Sequence, residues 1–404
     1  MATLAYFLAV MQRSSLGVAS VEATQRFDVG AAQLSLLAVL QLVVYAAMQI
    51  PVGILLDKFG PKRVLAAGAL IMAVGQATLA ISLTFEFAVT GRMLVGLGDA
   101  FTFISMIRMV NVFLSGPKAS RLQQWLATLG QLGQIASAFP FLWLLDSAGW
   151  SPAFLSVASL SLLGFCLVVI FGGVDTSDLR QDASFRSVVA GLRTNARRAP
   201  IRMAFWTHFT TQSSGTMFIL LWGMPFLTLG QGYSRTMASG LLALFVLTNA
   251  SMGPVLGAIA ARSFATRARI VIGAPIMGMV LWIVTLAWPG QAPFWLLIVM
   301  VLAIGVGGPA SMLAFDYSRA YTPKRDLGSV NGFVNIGGFL ASFTMMAVIG
   351  LALDFLNRDR PATQLYNLDN FKMALPVHFL VTLIGLYFYL REKKRTLALE
   401  GIKE

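Results

Sequence analysis

The sequence predicts an all-α membrane protein with twelve transmembrane helices in two pseudo-symmetric six-helix bundles. Three observations carry this reading. Twelve apolar stretches are long enough to cross a bilayer. Basic residues fall almost entirely on one side of them. A single long polar stretch divides them six and six.

Composition sets the frame. Of 404 residues, 57% are hydrophobic and only 12% are charged, and mean hydropathy is +0.75. A water-soluble domain needs more polar residues to cover its surface, so most of this surface faces lipid. The net charge of +13 would suit nucleic acid. The basic residues, however, sit in short clusters between apolar runs, which argues against a nucleic-acid partner. The lone Cys166 lies inside an apolar run, leaving no disulfide framework and no thiolate metal site. No cofactor motif is present either, because Gly96-Leu-Gly98 sits inside an apolar helix rather than a phosphate loop. The first apolar run opens at residue 2, has no basic n-region and is long enough to span, so it does not read as a cleavable signal; the usual short cytoplasmic tail before it is missing, so the true start is expected upstream.

A spanning helix needs about 20 apolar residues. Such stretches occupy 2–23, 32–56, 64–82, 87–113, 122–145, 152–174, 201–229, 237–260, 270–288, 294–316, 327–353 and 371–390. With both termini in the cytoplasm, 22 Lys and Arg residues fall in the inward-facing connections and the C-terminal tail. Outside there are only Arg26, Arg235, Arg358 and Arg360. This split fits the positive-inside rule and places the chain as a multi-pass protein of a cell membrane. The polar stretch DTSDLRQDASFRSVVAGLRTNARRAP reads as a linker. The expected layout is a first bundle over 1–174, a linker over 175–200, a second bundle over 201–391 and a tail over 392–404.

A weak internal repeat supports two related halves. Gly53, Lys58 and Arg63 after the second span match Gly257, Arg262 and Arg267 after the eighth. The first copy, Gly53-Ile-Leu-Leu-Asp57-Lys58-Phe-Gly60-Pro-Lys62-Arg63, resembles the signature loop of the major facilitator superfamily. That resemblance covers essentially the whole chain and implies a secondary active transporter working by alternating access, with no enzymatic activity. It also implies a packing role for Gly53, a gating role for Asp57, and a cytoplasmic anchor in Lys58, Gly60, Lys62 and Arg63.

A finer resemblance rests on Gln12-Arg13, on Tyr45 through Gln49 to Gly53, and on Arg92 with Asp99 seven residues later. These are similar to the anion:cation symporter branch, which moves organic anions with protons. Gln12 departs from that pattern, which often has Asp there. The resemblance implies a small anionic substrate and protons as partners, besides membrane lipids. A monomer is expected. Proton-driven efflux of drugs or hydrophobic metabolites is the alternative; the span-five sequence Gly130 to Pro140 lacks the Gly-Pro pair usual in antiporters.

The residues themselves point to the same place. Asp99 alone among the acidic residues lies deep inside a span, roughly 18 Å from its outer end at 1.5 Å per residue. Arg13 lies at a similar depth. An ion there is costly, by about 2.5–3.5 kcal/mol on insertion scales, so each needs a cavity or a partner. A guanidinium offers a planar fork for a carboxylate. Burial penalises a lone carboxylate, which suits Asp99 to take up and release a proton. Arg92 lies two turns outward on the face of Asp99. There it could steer anions, or simply snorkel to the interface.

His208 and His378 could bind substrate or relay protons. Tyr45, Gln49, Gln131, Gln134, Asn249, Asn331 and Asn335 are candidate cavity donors, or hydrogen bonds between helices. Arg108 and Asp316 lie near the cytoplasmic span ends. Pairs of Arg108 with Asp57, and of Asp316 with Arg262, are expected to close an inner gate.

Overall fold

The computed structural model describes residues 2–113, 122, 125–126, 128–171, 191, 193–323 and 326–400. Among these it is helical, without strands. Residues 175–190, the greater part of the expected linker, lie outside the described set. The chain divides into two compact units, Met1–Val29 with Gln33–Phe185, and Gly30–Ala32 with Arg186–Glu404.

In the first unit, α1 (Ala2–Val18) and α2 (Ser20–Phe27) form one span broken by 61°. They are followed by α3 (Ala31–Leu56) and α4 (Lys58–Ile81), then α5 (Phe85–Phe113). Near its start α4 is broken at Gly60, whose φ of 77° is a left-handed backbone that glycine adopts without penalty. Pro61 follows it at once, where the helix resumes. Next come α6 (Gly133–Ala136) and α7 (Leu142–Ala148). They are joined by a π-turn over Ser137–Phe141 that absorbs Pro140. Helix α8 (Trp150–Phe171) completes this unit.

The second unit runs α9 (Ala199–Gly230), α10 (Arg235–Ala260), α11 (Phe264–Ala287), α12 (Phe294–Tyr321), α13 (Leu327–Asn357) and α14 (Leu368–Leu399). Ser234 and Ser263 cap α10 and α11 by accepting the Met237 and Thr266 backbone N–H groups. Helix α9 is the most enclosed, packed chiefly against α13 and α14. Ile201, Leu313, Tyr317, Val330, Val334 and Tyr389 form a core at one end of these helices.

Eleven of the twelve expected spans therefore appear as long apolar helices, counting the bent pair once. The remaining one, 122–145, is partly outside the described residues and is helical over 133–148. Both units turn large apolar side chains outward, including Ile81, Trp143, Ile170, Phe171, Leu380 and Tyr387. In water such a surface would aggregate; against acyl chains it is the stable arrangement.

Two details differ from expectation. The last helix does not end at the tail boundary but continues to Glu400. Glu392, Thr396 and Leu397 are buried there, so tertiary packing carries the helix beyond the apolar run. Among the described residues, a methyl group built on Gly53 would meet nothing within 4 Å, so the close packing expected there is not seen among them. The tight approach is instead at Gly96 on α5, where such a group would lie 2.3 Å from the Gln41 carbonyl oxygen of α3.

Candidate functional site

The polar centre of the first unit is assembled from α1, α3, α5 and the segment around α6. Arg13 reaches across to Asp99. Its Nε donates to one carboxylate oxygen at 2.7 Å and Nη2 to the other at 2.8 Å. Asp99 is fully buried, whereas Arg13 keeps 11% of its side chain exposed. Tyr45 of α3 lies under the guanidinium, 4.8 Å from ring centroid to Cζ. A cation over an aromatic face gains further stabilisation when desolvated, and here it also holds the fork in one plane.

Arg92 makes a different contact from the one its position suggests. It is 1% exposed and does not snorkel. Its Nη1 donates to the Gln12 carbonyl at 3.5 Å and Nη2 to the Arg13 carbonyl at 3.4 Å. Its Nε has no hydrogen-bond partner. Asp99 is thus paired with Arg13, while the second buried guanidinium, Arg92, is held by backbone carbonyls of α1. Gln12 is fully buried, and its amide donates to Ser161 of α8. Its carbonyl also accepts from Gln76 of α4.

Polar groups extend along the same face of α1. Tyr6 precedes Arg13 by two turns and its hydroxyl accepts from the Gln131 amide at 3.0 Å. Gln131 in turn accepts from Gln134, whose own carbonyl oxygen is buried without a partner. Gln49 is buried and returns its amide to the Tyr45 carbonyl on its own helix. Sequence reasoning missed Tyr6, Gln76 and Ser161. The seven-residue spacing from Tyr6 to Arg13 was the signal that could have found the first.

The other candidates lie elsewhere. His208 on α9 is fully buried, and neither ring nitrogen has a hydrogen-bond partner. Its ring fills the space beside Gly338, where a methyl group would come within 2.1 Å of Nδ1, and it meets Phe315 edge-on. His378 is buried against Trp282 and Phe379, with Nδ1 2.5 Å from the Leu375 carbonyl. These surroundings are packing environments. Asn331 accepts from Ser318 at 2.6 Å, and Asn335 is half-buried on the same helix.

Of the expected gate pairs, the side chain of Asp57 lies outside the described set, so the pair with Arg108 does too. Asp316 does not pair with Arg262. It pairs with Arg319 at 3.5 Å, one turn along its own helix, where i,i+3 geometry makes the contact local. Lys58, Phe59 and Arg63 are exposed at the turn after α3, with Lys62 half-buried beside them.

Comparison with known proteins agrees with this architecture. A bacterial homolog of the human lysosomal transporter Spinster, solved in an inward-facing and occupied conformation, superposes with a TM-score of 0.73 at 16% identity. The match covers 97% of this chain and 95% of that one. At that identity the likeness speaks for the fold alone. The "Probable sulfoacetate transporter" of Cupriavidus necator is 29% identical over 43% of this chain and 40% of its own length. The "Probable L-galactonate transporter" of Escherichia coli is 23% identical over 55% of this chain and 48% of its own. The chloroplastic ascorbate transporter of Arabidopsis thaliana is 24% identical over 96% of this chain and 73% of its own. The chain thus matches less than half the length of the first two relatives. The model of the Major Facilitator Superfamily matches residues 2–346, and the chain belongs to that family.

Proposed function

We propose that the chain is a secondary active transporter that carries a small organic anion together with protons by alternating access. The observation that carries this reading is the two-point pair of Arg13 with Asp99, in which the guanidinium takes both carboxylate oxygens. Arg92 is a second buried guanidinium nearby on the chain, bonded to backbone carbonyls of α1. Removing ions from water costs several kcal/mol each unless they are paired. An anionic cargo is a natural partner for such guanidiniums.

The chemistry follows from the fork. In the resting pair Asp99 occupies the donors that a substrate carboxylate or sulfonate would use. A proton delivered to Asp99 removes the charge that holds Arg13 and releases the guanidinium to the incoming anion. Anion and proton therefore load together, and loss of the proton restores the internal pair and expels the cargo. Tyr45 keeps the guanidinium plane fixed throughout, and Gln131, Gln134 and Tyr6 offer further donors along α1. Asp99 acts as the carrier of the proton and as the competitor of the substrate.

The relatives support an anionic cargo, since sulfoacetate, L-galactonate and ascorbate are all organic acids ionised at neutral pH. The same reading places the chain in a cell membrane with both termini in the cytoplasm. The test is uptake into proteoliposomes across a panel of carboxylates, sulfonates, sugar acids and lipophilic cations. Saturable uptake of one anion class, stimulated by acid outside, is expected. Transport confined to lipophilic cations would overturn the reading in favour of efflux.

A further inference from the structure

We propose that the second unit carries a binding site for the phosphate of an anionic phospholipid, in the cavity between the start of α9 and the end of α14. The cavity is about 720 Å³ and is lined by Arg197, Arg198, Arg202 and Arg395 together with Pro200 and Leu399. No acidic residue is among its lining residues. Glu392, just beneath, is committed: one oxygen accepts from Arg202 at 2.9 Å and the other from Arg395 at 3.1 Å. Glu392 thus meets two of the four guanidiniums. Arg198 gives its Nη1 to the Tyr321 carbonyl at 2.7 Å, and Arg202 gives its Nη1 to the Arg197 carbonyl at 2.7 Å. The Nε of Arg202 is buried without a hydrogen-bond partner, and Arg197 is exposed.

A second feature adds to the positive potential. Helix α9 begins at Ala199 behind Arg198, which makes no side-chain cap to the helix. The first turn of a helix carries the positive end of the dipole, which favours a phosphate nearby; here the Ile201 and Arg202 N–H groups already bond to the Arg198 carbonyl, so the dipole and the arginines supply the attraction. Arginine forks match phosphate oxygens two at a time.

Position selects the lipid over a free ion. The cavity lies where α9 begins, α12 ends at Tyr321 and α14 ends at Leu399. It therefore sits at the bilayer boundary, on the face that the basic connections assign to the cytoplasm. Its rim is apolar, with Pro200, Ala398 and the strongly exposed Leu399, which suits a glycerol backbone and the first acyl carbons. Basic pockets between transmembrane helices on this side recognise lipid headgroups.

The test uses the full chain purified in neutral detergent. Its melting temperature is followed during titration with phosphatidylglycerol, phosphatidylcholine or inorganic phosphate. Ligands that bind the folded state raise it by mass action. A rise specific to phosphatidylglycerol is expected. The double variant Arg197→Gln with Arg395→Gln should weaken apparent affinity about 25-fold, at about fivefold per basic residue. Arg262→Gln with Arg269→Gln, which removes equal charge outside the cavity, should leave it unchanged. Equal shifts with both lipids would overturn the proposal. So would an equal shift with inorganic phosphate, or equal loss in the two double variants. Should the first variant not fold, the comparison of the three ligands on the unaltered chain still decides.

Discussion

Arg13 closes on Asp99 with two parallel hydrogen bonds, 2.7 and 2.8 Å, between helices that are separate in sequence by 86 positions. The pair removes the cost of a lone ion in the bilayer; in the proposed mechanism it also holds the fork that a proton releases.

Removing one partner strands the other. Arg13→Gln leaves Asp99 buried and unpaired, and breaking a buried pair in this way costs about 3–5 kcal/mol. The double variant Arg13→Gln with Asp99→Asn should recover most of that loss while remaining inactive in uptake. Thermal unfolding in detergent checks the first statement and proteoliposome flux the second. A double variant that regained anion uptake would separate Arg13 from the cargo.

Close approach of α3 and α5 depends on Gly96. Gly96→Ala places a methyl group against the Gln41 backbone and should cost about 1–3 kcal/mol, as overpacking does. Gly53→Ala meets open space and should change stability by about 0.5 kcal/mol or less. Melting temperatures of the two variants, measured side by side, check the contrast.

His208 is held as a packed ring. His208→Phe keeps the volume and removes two buried nitrogens that have no partners, so stability should hold or rise. Uptake should remain within about twofold, since an effect on catalysis or coupling would be a tenfold step for each 1.4 kcal/mol. A large rise in KM for the anion would instead place His208 at the substrate.

Glu392 anchors the end of the second unit. It is 4% exposed, while Arg202 is 34% exposed and Arg395 47%. Because solvent screens both arginines, Glu392→Gln should cost about 1–2 kcal/mol, below the range for a fully buried pair. Chemical unfolding of the variant checks the size, and high salt should narrow the difference from the parent chain.

Eleven of the spans were legible in the sequence as apolar stretches, because lipid imposes length and composition on each helix independently of its neighbours; their ends were less so, since the last helix runs well past its apolar stretch. The sequence could not show which residues meet across helices. The orientation of Arg92 toward α1, the bond from Gln12 to Ser161 and the enclosure of His208 by Gly338 depend on how helices rotate against one another. The close approach at Gly96 was not legible for a related reason: only the placement of α3 beside α5 shows which glycine meets a neighbouring backbone. The charge of Asp316 was visible, but not that the arginine one turn away would satisfy it locally.

The coupling of Asp99 to Arg13 is tested most directly in proteoliposomes, by comparing Asp99→Asn with the unaltered chain in two modes. Exchange of anion across the membrane without a gradient should persist in the variant, because a neutral side chain leaves the fork of Arg13 open to the anion. Accumulation driven by an imposed proton gradient should fall to background. Accumulation at the parent level in Asp99→Asn would contradict the account.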